Sequence, residues 1–386
     1  MRMKGYPKVS VSKLGSLKKG GAILREKLRP DGAAVCLYGD IYTKYAEVVT
    51  SFISRVEPSA VADGVRINNG DVVFAGSGET AEEIGKCIAY VGNEEAYAGG
   101  DVVILSSHGQ DARYLGYVLN AEDAVRQKMR LGQGSSVMHL YKDDVGSIKI
   151  PLPPLAEQRK IAEILRTWDE AIETAEAELR AKQERKRVLM QGLFSKKDCG
   201  ESFEGRYITE IAELSKDRPR GNETVCVDLE HVSPSAGQLI GSLPVNGDEV
   251  SKLRFRKDDV LFAKLRPYLK KAWLSDREGI CSSEFWVFRA KQDLGDPAFL
   301  RQFVLSEPFL EACAASSGSK MPRADWAHVE KIKFMLPSLN EQRVTAGILQ
   351  AADAEIDAIN DFIKLLSTQK RGLMQKLLTG EVRVAA

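Results

Sequence analysis

The sequence predicts an α+β protein in which two globular domains are joined by two long helices, and three observations support that prediction. A segment near the middle of the chain, LPPLAEQRKIAEIL from Leu152, returns as LPSLNEQRVTAGIL from Leu336, 184 residues later. Each copy begins an apolar 4-3 repeat that continues for about four heptads. The segments outside these repeats, residues 1–150 and 199–335, have the size of ordinary domains and resemble each other.

Residues 1–150 form the first predicted domain. Its β-branched and aromatic runs, DVVFA from Asp71 and GGDVVIL from Gly99, predict strands, whereas ARYLGYVLN from Ala112 predicts a helix. Its basic residues are few: Lys44, Arg66, Arg126, Lys128 and Arg130. Charge alone therefore gives only a weak indication of an anionic partner for this domain.

Residues 151–198 and 336–386 are the predicted helical segments. A Leu-Pro-x-Leu turn precedes each helix, and Gly380 is the predicted stop of the second. The first seam is Ile161, Leu165, Trp168, Ile172, Ala175, Leu179, Lys182, Lys186, Leu189 and Leu193. The second is Thr345, Leu349, Ala352, Ile356, Ile359, Ile363, Leu366, Lys370, Leu373 and Leu377. Such long seams predict a coiled coil in which the two helices are each other's partners.

Residues 199–335 form the second predicted domain, with strands at DVLFA and EFWVFRA and a helix at PAFLRQFVLS. One stretch, KLRFRKDDVLFAKLRPYLKKAW, alternates cations with aromatic residues. Dense Lys and Arg neutralise phosphates, and arginine reads guanine edges; a solvated strand face is an equally good explanation of the charges alone. The basic and aromatic residues are Lys252, Arg254, Phe255, Arg256, Lys257, Phe262, Lys264, Arg266, Tyr268, Lys270, Lys271 and Trp273.

Composition and motif searches favour a binding protein over an enzyme. The net charge is +1, so only local patches can indicate a charged partner. The six cysteines form no CxxC pair and no stretch has membrane-spanning length, which predicts reduced thiols, no zinc cluster and a cytoplasmic location. The glycines at Gly78 and Gly85 enclose six residues, not the four of a P-loop, and Cys87 follows Lys86 where a Ser or Thr is required.

The motifs resemble those of the specificity subunit of Type I restriction-modification systems, and the resemblance covers essentially the whole chain. YGDIYTKY from Tyr38, SGET from Ser77 and GGD from Gly99 are similar to the first target-recognition domain of that family. The two repeated segments, ending in LMQGLFS and LMQKLLTGEV, are similar to its two conserved regions. The family then implies target-recognition domains at 1–150 and 199–335 and conserved regions with long helices at 151–198 and 336–386.

The resemblance also implies a function and partners. It implies a non-catalytic subunit whose two recognition domains each read half of a split double-stranded DNA target, while the helices form an antiparallel coiled coil with an approximate twofold axis. Two adenine-N6 methyltransferase subunits would dock around the helices, and restriction and translocase subunits would join for cleavage. S-adenosylmethionine, ATP and Mg²⁺ would belong to those partners, so no cofactor or metal is expected in this chain.

Candidate contacts follow from the polar loops beside the predicted strands and from the repeated EQR. In the first domain we expect DNA contacts at Tyr42, Thr43, Lys44, Ser77, Glu79, Ser135 and Ser136. In the second we expect them at Lys264, Arg266, Lys270, Ser319, Lys320 and Arg323. Because polar side chains recur at the start of both helices, we expect exposed partner contacts at Glu157, Gln158, Arg159, Glu341, Gln342 and Arg343.

Two alternatives remain open from the sequence. The chain could be a coiled-coil structural adaptor whose globular domains bind proteins, although the basic and aromatic stretch favours DNA. It could also be the specificity module of a methylation-only defence system. Salt-dependent binding to DNA distinguishes the first alternative, and the presence of a nuclease partner distinguishes the second.

The repeat predicts that helix length sets the spacing between the two half-sites. Deleting residues 173–179 together with 357–363 removes one heptad from each helix, preserves the apolar phase and shortens the rod by about 10 Å, or about 3 base pairs. We expect the folded variant to require a correspondingly shorter spacer in methylated sites recovered from a randomised library. An unchanged spacer in an active variant would contradict the ruler hypothesis.

Overall fold

The computed structural model describes residues 5–80, 83–134, 137–194, 205–234, 237–245, 251–315 and 321–384. The chain folds as two units, one formed by Met1–Thr174 with Ile363–Ala386 and the other by Ala175–Phe362. Both boundaries fall inside a long helix, so each unit combines one globular domain with part of each helix. The division of the chain into four consecutive segments stays a prediction.

The first unit contains strands and short helices in an alternating order. Short 3-10 helices lie at Val11–Lys13, Arg25–Lys27 and Pro58–Asp63. The other elements are β1 (Lys8–Ser10), β2 (Gly15–Lys19), β3 (Leu28–Arg29), β4 (Ala33–Cys36), α1 (Tyr38–Thr43), β5 (Val48–Val49), β6 (Arg55–Val56), β7 (Val65–Ile67), β8 (Asp71–Ala75), β9 (Ser77–Gly78), β10 (Cys87–Tyr90), β11 (Ala96–Ala98), β12 (Val102–Ser107), α2 (Ala112–Leu119), α3 (Glu122–Leu131), β13 (Met138–His139), α4 (Lys142–Ser147) and β14 (Lys149–Pro151), followed by the long helix α5 (Leu155–Phe194).

Two mixed sheets form the core of this unit. The strand orders are β2-β12-β8-β10-β5 and β3-β6-β4-β11-β7. Every residue of the central strand β8 is buried, which explains why its sequence is a continuous apolar run rather than an alternating one. Helix α2 covers β10, and its first turn is capped by Asp111, whose carboxylate accepts a hydrogen bond from the Tyr114 amide.

The second unit has a similar set of elements. Its 3-10 helices lie at Leu229–His231 and Pro267–Leu269. The other elements are β15 (Arg206–Tyr207), α6 (Ile208–Ile211), β16 (Ala212–Ser215), β17 (Val225–Val227), β18 (Leu243–Pro244), β19 (Leu253–Phe255), β20 (Val260–Ala263), β21 (Ala272–Leu274), β22 (Gly279–Cys281), β23 (Phe285–Ala290), α7 (Pro297–Val304), α8 (Glu307–Ala315), α9 (Trp326–Val329) and β24 (Lys333–Phe334), followed by the long helix α10 (Leu339–Thr379).

The sheet topology confirms the predicted duplication. The second unit has the strand orders β16-β23-β20-β21 and β18-β17-β22-β19. In its second sheet β22 pairs parallel with β17 and antiparallel with β19, as β11 pairs parallel with β4 and antiparallel with β7. The predicted strands DVVFA and DVLFA are β8 and β20, the equivalent central strands. The predicted α+β fold with two similar globular domains is therefore correct.

The apolar seams of the long helices also form as predicted. Every seam position in both helices is buried or half-buried, including the lysines that interrupt the apolar pattern. At the start of helix α10 the Glu341 carboxylate accepts hydrogen bonds from the amide and hydroxyl of Ser338. The helix ends before Gly380, whose φ of +78° suits a C-terminal stop.

Ion pairs within each unit show that the helices run antiparallel. In the second unit Lys182 bonds Glu355 at 2.8 Å and Lys186 bonds Asp353, so the partner number falls as the first number rises. In the first unit Glu157 and Asp169 of α5 bond Arg383, just beyond α10, and Lys370 of α10, so the partner number again falls as the first number rises. These contacts explain the lysines in the seam: each has a carboxylate of the opposite helix as its partner.

We expect Asp353→Ala to destabilise the protein by about 2–4 kcal/mol, because it removes the carboxylate that pairs with the largely buried Lys186. Denaturant unfolding measures the change. Replacing both partners, Lys186→Met with Asp353→Leu, should recover only part of that loss, because Arg301 and Gln302 also bond Asp353 and would lose their acceptor. Glu178→Ala, on the exposed face of α5, is the control and should be nearly neutral. A small effect of Asp353→Ala would show that the seam does not depend on this pair.

Candidate nucleic-acid interface

Three side chains of the first domain form a connected group at the end of the central strand. The Tyr42 hydroxyl donates to the Ser77 carbonyl at 2.8 Å, and Ser77 Oγ lies 3.0 Å from His139 Nδ1. Helix α1 supplies the tyrosine, β9 the serine and β13 the histidine, and β9 pairs with β13. Ser77 is only 1% exposed, so its side chain supports its neighbours and is not a surface contact.

The other predicted residues of the first domain have different environments. Thr43 and Lys44 are exposed at the end of α1, where Lys44 pairs with Asp40 at 2.9 Å. Glu79 is exposed. Tyr42 and Thr43 lie in a helix, which corrects the prediction that they belong to a loop. Ser135 and Ser136 lie outside the described residues.

The basic residues of the first domain include one that is not available to a ligand. Lys128 is 1% exposed, and its ammonium donates to the Gly85 carbonyl at 2.6 Å. Burial lowers the pKa of Lys128, because the charged form loses hydration. Lys128 therefore adds nothing to the cationic surface of the first domain.

The second domain presents its cations on the loop between β20 and β21. Arg266 and Lys270 are exposed and both have a φ of +53°, a left-handed conformation that is uncommon for residues other than glycine. Tyr268 between them is 61% exposed. The Arg266 amide donates to the Pro322 carbonyl at 2.7 Å, which fixes the loop beside the segment that contains Arg323. Lys264, at the start of the loop, is half-buried.

Much of the predicted basic and aromatic stretch has a structural role instead. Phe255, Phe262 and Trp273 belong to the core. Arg254 is buried and bonds Glu278 at 2.7 Å, whereas Arg256 is exposed and bonds Asp217 at 3.0 Å. The interpretation of the whole stretch as one nucleic-acid surface is therefore wrong, because three of its four aromatic residues lie in the core. Its exposed cations are Arg256 and Lys257 before β20 and Arg266 and Lys270 in the loop after it.

Arg323 lies beside that loop. Its side chain is 56% exposed and donates to Glu284 Oε1 at 2.8 Å. Leu265 forms an isolated antiparallel bridge with Arg323, the counterpart of the pairing between Ser77 and His139 in the first domain. Ser319 and Lys320 lie outside the described residues.

The predicted exposure of the two EQR motifs is wrong for three of the six residues. Glu157 is 3% exposed and accepts hydrogen bonds from Tyr6 and, in a bidentate pair, from Arg383, all at 2.7 Å. The hydrogen bonds from Arg383 lower the pKa of Glu157. This residue therefore ties the first long helix to both ends of the chain within the first unit.

Gln158 and Gln342 are buried and make the same contacts in the two units. Gln158 accepts from the Asp111 amide at 3.1 Å and donates to the Pro153 carbonyl at 2.8 Å. Gln342 accepts from the Asp296 amide at 2.9 Å and donates to the Pro337 carbonyl at 2.9 Å. The repeated glutamine thus docks a domain helix on the long helix. Arg159, Glu341 and Arg343 are exposed, and their role in binding a partner stays a prediction.

Sequence reasoning missed His139 and Glu284, and it missed Tyr141, which is 56% exposed and stacks on His139. One signal could have found His139: it precedes Arg323, a predicted contact, by the 184 residues of the repeat. The described residues include no group of three His, Cys, Asp or Glu suited to a metal ion. Nor do the helices described here offer an apolar stretch that could cross a membrane.

Comparison with known proteins decides the family. The family model described as Type I restriction modification DNA specificity domain matches residues 3–182 and 244–366. The chain belongs to the Type I restriction-modification specificity family. The first match ends within α5 and the second within α10, so each includes part of a long helix.

Individual members of the family are similar over most of their length. The MjaVIII specificity subunit of Methanocaldococcus jannaschii is 26% identical over 349 residues, which are 82% of this chain and 80% of that protein. The EcoDI specificity subunit of Escherichia coli is 23% identical over 65% of this chain and 66% of its own. The crystal structure of the S subunit from M. genitalium shares the fold, with a TM-score of 0.61, 13% identity and coverage of 98% of this chain and 97% of that one.

We expect low pH to weaken the hydrogen bonds that Glu157 accepts from Tyr6 and Arg383. Because the folded-state pKa of Glu157 lies below its ordinary value of 4.5, its stabilisation is present at neutral pH and is lost as the pH falls through that lowered pKa. Glu157→Gln should therefore lower the unfolding temperature at pH ~7, and the difference should narrow towards pH ~3. Glu341→Gln is the matched control and should cost less, since that exposed carboxylate accepts hydrogen bonds from Ser338 alone among the described residues. Equal unfolding temperatures of the Glu157 variant and the parent at neutral pH would contradict the assignment.

Proposed function

We propose that the chain is the DNA-specificity subunit of a Type I restriction-modification enzyme and binds a bipartite DNA target. One recognition domain reads each half of the target, and the chain itself performs no chemistry. Two adenine-N6 methyltransferase subunits and restriction and translocase subunits act at the sites it selects, in the cytoplasm. S-adenosylmethionine, ATP and Mg²⁺ bind to those partner subunits and not to this chain.

The observation that carries the proposal is a shared backbone with different polar side chains. Both domains place a short antiparallel pairing at the end of the central strand, at Ser77 with His139 and at Leu265 with Arg323. A repeated frame with different hydrogen-bonding groups suits the reading of two different sequences, because base edges are distinguished by their donors and acceptors. An adaptor that binds one repeated protein partner gives no reason for this difference.

The exposed loop of the second domain supplies the electrostatic part of the argument. Arg266, Lys270 and Arg323 present cations beside Tyr268, and phosphate neutralisation by such groups provides most of the non-specific affinity for DNA. Arginine also offers two parallel donors to guanine O6 and N7. The exposed Arg159 and Arg343 at the start of the long helices are proposed contacts for the methyltransferase subunits.

The direct test is co-expression of the chain with the adjacent methyltransferase gene, followed by mapping of methylated adenines. We expect a two-part consensus with a fixed spacer, and we expect the chain purified without partners to lack methyltransferase, ATPase and nuclease activity. Absence of any sequence-specific methylation by the assembled complex would contradict the function. Methylation without cleavage when all neighbouring genes are present would indicate a methylation-only system.

We expect Arg266→Ala to weaken DNA binding or relax specificity by about 1–3 kcal/mol if Arg266 reads a guanine. Titration of the methyltransferase complex with target and scrambled duplexes separates the two effects, since a lost phosphate contact weakens both equally. Arg277→Ala is a suitable control, because Arg277 is a similarly exposed arginine that pairs with Asp276 on the turn between β21 and β22. Unchanged affinity and unchanged preference would remove Arg266 from the interface.

A further inference from the structure

His139 and Arg323 occupy equivalent backbone positions in the two recognition domains. Each lies opposite the strand extension that follows the central strand, at Ser77 and at Leu265. The next residue bonds the same strand in both domains: the Leu140 amide donates to Gly76 at 2.8 Å and the Ala324 amide donates to Lys264 at 2.9 Å. The side chains of His139 and Arg323 therefore start from the same local backbone arrangement.

Both side chains are held by a neighbour that leaves part of their hydrogen-bonding capacity unused. Ser77 Oγ lies against Nδ1 of His139, which leaves Nε2 outside that contact. Glu284 holds Arg323 through Nη2, and a guanidinium has five N–H donors in a planar fork. A side chain fixed before binding loses less conformational entropy when it engages a ligand. Such preorganisation suits a group that must select one base edge.

Glu284 is itself firmly placed. Its carbonyl accepts from the Lys264 amide at 3.0 Å, and its amide donates to Ser282 Oγ at 3.2 Å, just before β23. Its Oε2 is buried and, within the described residues, has no hydrogen-bond partner. A buried unpaired carboxylate oxygen costs free energy, whereas an exposed ion pair adds little to stability. The arrangement is therefore poorly explained by folding alone.

The residues around Arg323 and His139 also favour contact with DNA. Arg266 stands on the adjacent loop, tied to Pro322 through its backbone amide, and its left-handed backbone is a conformation that concentrates at ligand-binding sites. In the first domain the exposed ring of Tyr141 stacks on His139. Each position thus combines a fixed donor group with an exposed neighbour able to contact the same duplex.

The geometry points to His139 and Arg323 as equivalent base-reading residues of the two half-sites, with Ser77 and Glu284 as their positioning residues. Arg323 uses the guanidinium donors that do not bond Glu284 to read a guanine through O6 and N7. His139, with Nδ1 accepting from Ser77, donates Nε2–H to a purine acceptor. This inference rests on the proposed function and specifies which side chains distinguish the two half-sites.

The test maps methylated adenines in a plasmid library of randomised sequence, using the chain co-produced with its methyltransferase. Arg323→Ala should reduce discrimination at one base pair of one half-site by about ten- to a hundred-fold and leave the other half-site unchanged. Glu284→Ala should relax the same base pair, and the double variant should relax it no further than Arg323→Ala. His139→Ala should relax one base pair of the other half-site.

Controls separate this inference from the proposed function and from misfolding. Arg277→Ala, an exposed ion-paired arginine of the same domain, should leave the consensus unchanged. If the parent chain directs no sequence-specific methylation, the proposed function fails before the variants are compared. A wild-type consensus for Arg323→Ala, or a uniform loss of methylation by a variant that still folds and assembles, would overturn the base-reading role. Relaxation by Glu284→Ala at a different base pair would overturn the positioning role.

Discussion

A lysine buried in the helix seam constrains each unit of this protein. Lys370 of α10 bonds Asp169 of α5 and, at 3.2 Å, Glu47 of the first domain, while the Tyr117 hydroxyl of α2 also bonds Asp169. Lys186 and Asp353 form the matching pair in the second unit, where Gln302 of α7 donates to Asp353 at 2.7 Å. An unpaired charge in an apolar seam is costly, so only the register that pairs these groups is well tolerated. Helix register and domain docking are therefore fixed by the same contact.

The helices and strands that depend on a local residue pattern were predicted correctly from the sequence. Heptad periodicity located both helices, because the residues that define a seam are close in sequence. The apolar runs of β8, β12, β20 and β23 were recognised as strands for the same reason. Strands such as β4 and β11 were not predicted, since each has only three or four residues and is held by a partner about 60 residues away. Burial of Glu157 could not be foreseen either, because its partner Arg383 is 226 residues distant.

The candidate site was predicted less completely, because charge density along a chain does not show which cations are paired. Arg254 and Arg256 look like free surface charges in the sequence, yet their carboxylate partners come from other strands and loops. Arg266 and Lys270 are exposed on a loop whose backbone is left-handed at both residues, which neither residue type indicates in the sequence. His139 carries no local signal, and only its relation to Arg323 through the repeat marks it.

Comparison of the two halves separates positions that keep their residue type from positions at which the residue type differs. Both halves pack a domain against a long helix in the same way, so the residues that make those contacts are of the same type in both. Four such pairs are Gln158 and Gln342, Asp111 and Asp296, Asp169 and Asp353, and Lys186 and Lys370. At the edge beside the central strand the residue types differ, as in Ser77 and Leu265, Gly78 and Arg266, and His139 and Arg323. The backbone hydrogen bonds there are nevertheless the same. Folding requires those backbone hydrogen bonds but does not determine which side chains the backbone carries there. The different residue types at these positions are therefore best explained by what each half binds.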